Sequence, residues 1–173
     1  MRELVEDYGV VTIVAMEDDN NIQVTCQYHY TYGRRLWELS AGLLDIAGEL
    51  PHFSAVRELQ EEVDLQATTW QVRVDLNTAP GFSDESVRIY LAARLSEVAR
   101  PEVYDEEVDM AMRWHPVDEE ARRVFSGEVV NSIAIVGVLV AHAVTTEFVQ
   151  QPCPLDSQGI DRPMVFAVRK AAQ

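Results

Sequence analysis

Arg57, Glu58, Glu61 and Glu62 fall within six consecutive positions, directly after a turn-rich loop that carries Asp45, Gly48 and Glu49. On a helix, residues three and four apart are neighbours, so Glu58 faces both Glu61 and Glu62. Each like-charge pair costs a helix about 0.2–0.5 kcal/mol, and only Arg57 with Glu61 forms a compensating pair. The acids also crowd toward the helix C-terminus, the end where the macrodipole disfavours negative charge. A breach of local rules on this scale points to a functional site. A divalent cation relieves it. Carboxylate oxygens at this density suit Mg²⁺ or Mn²⁺, hard ions that keep some waters and take up substrate phosphates. The plain alternative is a solvated acidic face.

The elements around this stretch must place it. Val56, Leu59 and Val63 sit at i, i+3 and i+7, which predicts one apolar stripe packed on a sheet with the acids facing out. Residues 10–16 form a continuous apolar run and read as a buried strand, followed by the turn Glu17-Asp18-Asp19-Asn20-Asn21 and a partner strand over 22–31. Further strands are expected over 70–76, 87–95 and 112–117. Asp118 can cap a short helix that Gly127 ends, and Asn131-Ser132 opens a long apolar helix to about Phe148. Strands flanked by a helix on each side imply an α/β/α layered domain over residues 1–149, with a weakly patterned tail over 150–173.

The polar pattern resembles the signature of the Nudix hydrolases, which cut a diphosphate linked to another moiety. Glu49, Arg57, Glu58, Leu59, Glu61, Glu62 and Leu65 fall in that register. Two positions depart from it: six residues rather than five separate Gly42 from Glu49, and Asp64 stands where the family carries Gly. Trp37-Glu38-Leu39-Ser40-Ala41-Gly42 is similar to the Glu-Leu-Pro-Ala-Gly lead-in of bacterial ADP-ribose pyrophosphatases, with Ser40 in place of Pro. Pro80-Gly81-Phe82-Ser83-Asp84-Glu85 resembles their proline-bearing loop, and Glu106-Glu107-Val108-Asp109-Met110 their acidic loop.

The resemblance implies the Nudix fold, an α/β/α sandwich with a mixed β-sheet, and a metal-dependent cleavage of ADP-ribose to AMP and ribose 5-phosphate. It implies that Glu58 and Glu62, joined by the backbone carbonyl of Ala41, hold Mg²⁺ or Mn²⁺. It gives Glu49 and Arg57 a pairing role between loop and helix, and adds Glu61 to the catalytic acids. One of Glu106 and Glu107 completes the site, with Glu107 favoured as a further metal ligand or as the orienter of the attacking water. Pro80, Gly81, Phe82 and Ser83 belong to substrate binding. So does His29, where Gln27-Tyr28-His29 replaces the family's Gln-Tyr-Arg. An imidazole there gives a weaker phosphate contact than a guanidinium fork. Ser40 for Pro is expected to loosen the strand that presents Ala41, and Asp64 to strain a left-handed helix exit. The family's N-terminal strands, which help to build the adenosine site and a homodimer, precede the position of Arg2 and are expected to be missing. The alternatives are a catalytically impaired module of the same fold and a hydrolase of another nucleoside diphosphate derivative.

Composition narrows the field. An apolar content of 47% over 173 residues supports one domain with a real core and excludes a disordered chain. A net charge of −15 argues against nucleic acid or an anionic membrane as partner. It also means that a nucleoside diphosphate is repelled unless a metal inverts the local field. Cys26 and Cys153 are isolated, which favours a reduced cytoplasm. No signal peptide is evident at the N-terminus, and the apolar run over 133–144 is too short to span a bilayer. His29, His52, His115 and His142 lack metal-binding spacing.

Overall fold

The computed structural model describes residues 3–98, 111–148, 152–155 and 157. Strand β1 (Val10–Ala15) is buried at every position and lies inside a four-stranded sheet. Its neighbours are β4 (Ser40–Leu43), antiparallel, and β6 (Ser86–Glu97), parallel. Antiparallel β5 (Leu65–Asn77) closes the order β4-β1-β6-β5, a mixed sheet. A second sheet of three antiparallel strands has the order β3-β2-β7, from β2 (Asn21–His29), β3 (Arg34–Glu38) and β7 (Ala111–Pro116).

Side-chain alternation along β1 and β6 divides the core in two. Val10, Val14, Val87, Ile89 and Leu91 join one cluster with Ala134, Val138 and Ala141 of α3 (Ser132–Thr145) and with Val117 and Ala121 of α2 (Val117–Ser126). Val11, Ile13, Ala15, Tyr90 and Ala92 join the other with Ala55, Leu59 and Val63 of α1 (Pro51–Val63). The α/β/α layering read from the sequence is therefore the layering found. The buried stripe of α1 uses Ala55 rather than Val56, which is only half-buried. Ala55, Leu59 and Val63 stand at i, i+4 and i+8, a narrower seam that leaves the next helical row for polar groups.

Other expectations need adjustment. Asp118 does not cap α2; Pro116 holds that position, and Asp118, Glu119 and Glu120 fill the first turn, where the dipole favours acids. Gly127 ends α2 in the left-handed conformation, and the Asn131 side chain accepts from the Ile133 and Ala134 amides to start α3. Strand β5 begins at Leu65, immediately after Asp64, because pairing with β6 continues past the alternating segment to Leu65 opposite Glu97. Of the C-terminal tail, Cys153 bridges the edge of β5 at Val72.

Strands β3 and β4 are one run of chain that changes sheets at Leu39, a buried residue. Two features fix the crossing. Arg123 stacks on the Trp37 ring at 4.6 Å while pairing with the buried Glu120 carboxylate, which also meets His115. Leu39 itself presses on α3 at Gly137, where a Cβ would overlap its side chain. Gly137→Ala gains helix propensity of about 1 kcal/mol. Overpacking a filled core costs about 1–3 kcal/mol, and with Leu39 buried on all sides the clash wins. Gly137→Ala is thus expected to lower the thermal midpoint, as measured by calorimetry; an unchanged or higher midpoint would show that α3 is not seated on Leu39.

Candidate metal and active site

Helix α1 runs antiparallel to β4 and lays a polar row along it. Ser54 Oγ reaches the Leu43 carbonyl at 3.5 Å, the Glu58 side chain covers Gly42, and Glu62 meets Ser40 and Ala41. Ser54, Glu58 and Glu62 are at i, i+4 and i+8, one position ahead of the apolar seam, so the packing of Leu59 and Val63 fixes where the carboxylates point. Gly42 is required here for space rather than for its backbone angles, because a Cβ would sit inside the Glu58 carboxyl group.

Arg57 is the counter-charge of the row. It faces Glu49 through Nη2 at 3.2 Å, Glu58 through Nη1 at 2.7 Å and Glu61 through Nη1 at 3.0 Å. Burial alone would lower its affinity for a proton, but the bond to Glu49, the charge of Glu58 and the bond to Glu61 outweigh that and raise it. The Glu49 contact ties the loop between β4 and α1 to the helix. One guanidinium does not balance three carboxylates. Burial pushes the Glu58 carboxyl above its ordinary range, and the charges of Glu61 and Asp45 push the same way, against the pull of Arg57.

Glu62 Oε2 accepts from Ser40 Oγ at 2.6 Å and from the Ala41 amide at 3.2 Å. Since the N–H and C=O of a strand residue point to the same side, the Ala41 carbonyl also leaves the sheet edge toward α1. Glu58 and Glu62 with the Ala41 carbonyl would offer only oxygen donors, the type that a hard divalent cation takes. Among the described residues no three His, Cys, Asp or Glu side chains are grouped closely enough to hold a metal ion by themselves.

The other described candidates are carried by other elements. His29 sits on the three-stranded sheet with Nε2 at 2.6 Å from Glu38 Oε1, an oxygen that also accepts from Asn131 Nδ2 at 2.9 Å. Pro80, Gly81, Phe82 and Ser83 form the turn between β5 and β6, at the sheet end where Leu43 and Val87 flank Val10. Residues near the N-terminus strap this turn: the Val5 amide donates to the Phe82 carbonyl at 2.8 Å and the Asp7 amide to Asp84 Oδ1 at 2.9 Å. Glu106 and Glu107 lie outside the described residues.

Two departures from the motif have physical resolutions. Ser40 pairs opposite Ile13, is buried, and gives Glu62 a donor. Asp64 does occupy a left-handed exit, with φ 58° and ψ 30°, and its amide closes the helix on the Leu59 carbonyl. Asp tolerates that region better than most residues.

Comparison with known proteins decides the family. A NUDIX-domain profile matches residues 7–131. This chain belongs to the NUDIX family. Over 170 residues, 98% of the chain and 82% of the relative, it is 66% identical to the ADP-ribose pyrophosphatase of Mycobacterium tuberculosis (strain ATCC 25618 / H37Rv). It is 32% identical to the ADP-ribose pyrophosphatase of Bacillus subtilis (strain 168), over 74% of the chain and 69% of that relative. Among solved structures, an ADP compounds hydrolase superposes with a TM-score of 0.70 at 20% identity, covering 81% of this chain and 74% of the other, which shows a shared fold.

The Glu58 environment has a consequence for stability. A carboxyl whose proton affinity is raised in the folded state favours folding while it is protonated. That contribution is whole below the ordinary value of 4.5 and is lost as pH rises through the raised value. Urea unfolding of the metal-free protein and of Glu58→Gln, across about pH 4 to 7, should show the variant gaining on the parent as pH rises. A stability difference independent of pH would contradict the assigned environment.

Proposed function

We propose that this NUDIX chain hydrolyses ADP-ribose, with water, to AMP and ribose 5-phosphate, using Mg²⁺ or Mn²⁺. The observation that carries the reading is the row of Ser54, Glu58 and Glu62 laid along β4, with Glu58 seated on Gly42. The resemblance to two ADP-ribose pyrophosphatases supports the choice of substrate. Dependence on a divalent metal is general for such enzymes. The overall charge of −15 gives a cation a further task, since the chain otherwise repels a diphosphate.

Glu58 and Glu62, with the Ala41 carbonyl, would hold the cation. When bound, it supplies neutralisation of the diphosphate and acidification of a water at neutral pH. Arg57 keeps Glu49 and its loop against the helix, so the acids stay aimed at β4. Glu61, whose side chain is 45% exposed, would act on water at the substrate side. Glu106 or Glu107, with Glu107 preferred, would orient the attacking water or add a further carboxylate ligand. His29 would meet a substrate phosphate in place of the family's arginine. Pro80, Gly81, Phe82 and Ser83 would contact the ADP-ribose group, with Phe82 offering an exposed ring. We place the reaction in the cytoplasm, in keeping with the free Cys26 and Cys153, and expect a homodimer where the family's N-terminal strands are present. Among the described residues no helix is long and apolar enough to cross a membrane.

A catalytically impaired module is the second reading, favoured by His29 being engaged with Glu38, although Ser40 and Asp64 are both accommodated. Release of AMP from ADP-ribose with Mg²⁺ or Mn²⁺ is the test. Glu62→Gln should lower kcat/KM by more than about 100-fold, beyond the loss caused by removing an outer partner of a ligand. Parent-like turnover in Glu62→Gln, or no AMP from the parent chain with either metal, would sink the reading.

A further inference from the structure

Ser40 opens β4, is 1% exposed, and sits where the resembling pattern carries a proline. A buried hydroxyl in a strand commonly satisfies itself on a nearby backbone carbonyl. Here it instead spans 22 positions of sequence to donate to Glu62 Oε2 at 2.6 Å. That length is typical of a hydroxyl bonded to an ionised carboxylate, a bond stronger than a neutral one. The Ala41 amide donates to the same oxygen at 3.2 Å. The last torsion of a glutamate is broad and nearly unrestricted on its own. Two donors from adjacent residues of β4 remove that freedom and set the plane of the carboxylate relative to the Ala41 carbonyl.

We propose that Ser40 is a positioning residue, which holds the Glu62 carboxylate in a preset orientation for the divalent cation. A proline at this point stiffens the strand by fixing φ. Ser40 supplies a different constraint, acting on the ligand itself rather than on the backbone that carries it. Groups that orient a metal ligand act through its geometry and basicity, and losing one typically costs 10- to 100-fold in metal affinity or activity. The proposal rests on the reading of Glu62 as a cation ligand, and the experiment separates the two.

Mn²⁺ alone is titrated calorimetrically into the full chain and into Ser40→Ala, Ser40→Thr and Glu62→Gln, with the metal-free melting temperature of each recorded. Ser40→Ala removes one oxygen from a buried strand position, and should fold as the parent does while binding Mn²⁺ about 10-fold more weakly. Ser40→Thr keeps the hydroxyl and should bind close to the parent. If Glu62→Gln weakens binding while Ser40→Ala binds like the parent, Glu62 is a ligand and the positioning role is wrong. Equal weakening in Ser40→Ala and Ser40→Thr also overturns it, since the hydroxyl would then not be the cause. Parent-like binding in Glu62→Gln overturns the ligand reading itself.

Discussion

The Glu58 side chain lies against the backbone of Gly42, in the space that a Cβ at that position would fill. This close approach is possible because Gly42 has no Cβ and because α1 packs on β4 in one register, with Leu59 and Val63 buried behind the acids. Once the approach is made, the rest of the row is set by helix geometry. Ser54 falls one turn earlier at Leu43, and Glu62 one turn later at Ser40 and Ala41. Three carboxylates are thereby forced around a single guanidinium. Burial raises the proton affinity of Glu58, Arg57 pulls it down, and the charges of Glu61 and Asp45 add smaller upward pushes. Carboxylates held this close leave the row with more negative than positive charge, which is what the proposed divalent cation would offset.

The same constraint explains why departures from the family pattern are tolerated where they occur. Gly42 is held by Glu58, and Glu49 is held by Arg57, so the extra residue between them must be absorbed by the loop. That loop has room: Ile46 is half-exposed, and Gly48 takes a left-handed turn at φ 84°. Surface loops accept such insertions at little thermodynamic cost. Asp64 lies past Glu62, the last carboxylate of the row. Its unusual backbone angles turn the chain directly into β5 without disturbing the row.

Much of this was legible in the residues. The buried strand β1, the capping Asn131, the stop at Gly127 and the two-sided layering follow from apolar runs and local signals. The acid row was legible because its spacing violates what a merely stable helix prefers. Strand β3 was not, since Arg34-Arg35-Leu36-Trp37-Glu38 has no clean alternation and is a strand by virtue of pairing with β2. Val56 looked like core because i, i+3 and i+7 spacing fits many helices, whereas the curved contact with the sheet selects Ala55. The partnership of Ser40 with Glu62 could not be read either. It depends on α1 and β4 running antiparallel at a fixed offset, a tertiary fact with no local signature. Asp45, whose charge helps to push the Glu58 carboxyl above its ordinary range, was hidden for the same reason.

In the proposed site, Gly42 makes the space that Glu58 needs if it is to serve a cation. Gly42→Ala tests it most directly, because the added methyl meets the end of a flexible side chain and should displace Glu58 rather than unfold the sheet. Manganese affinity, followed by the paramagnetic resonance of free Mn²⁺, is the measurement. The account predicts a variant that melts close to the parent and binds Mn²⁺ far more weakly. A well-folded Gly42→Ala protein with parent affinity would contradict it.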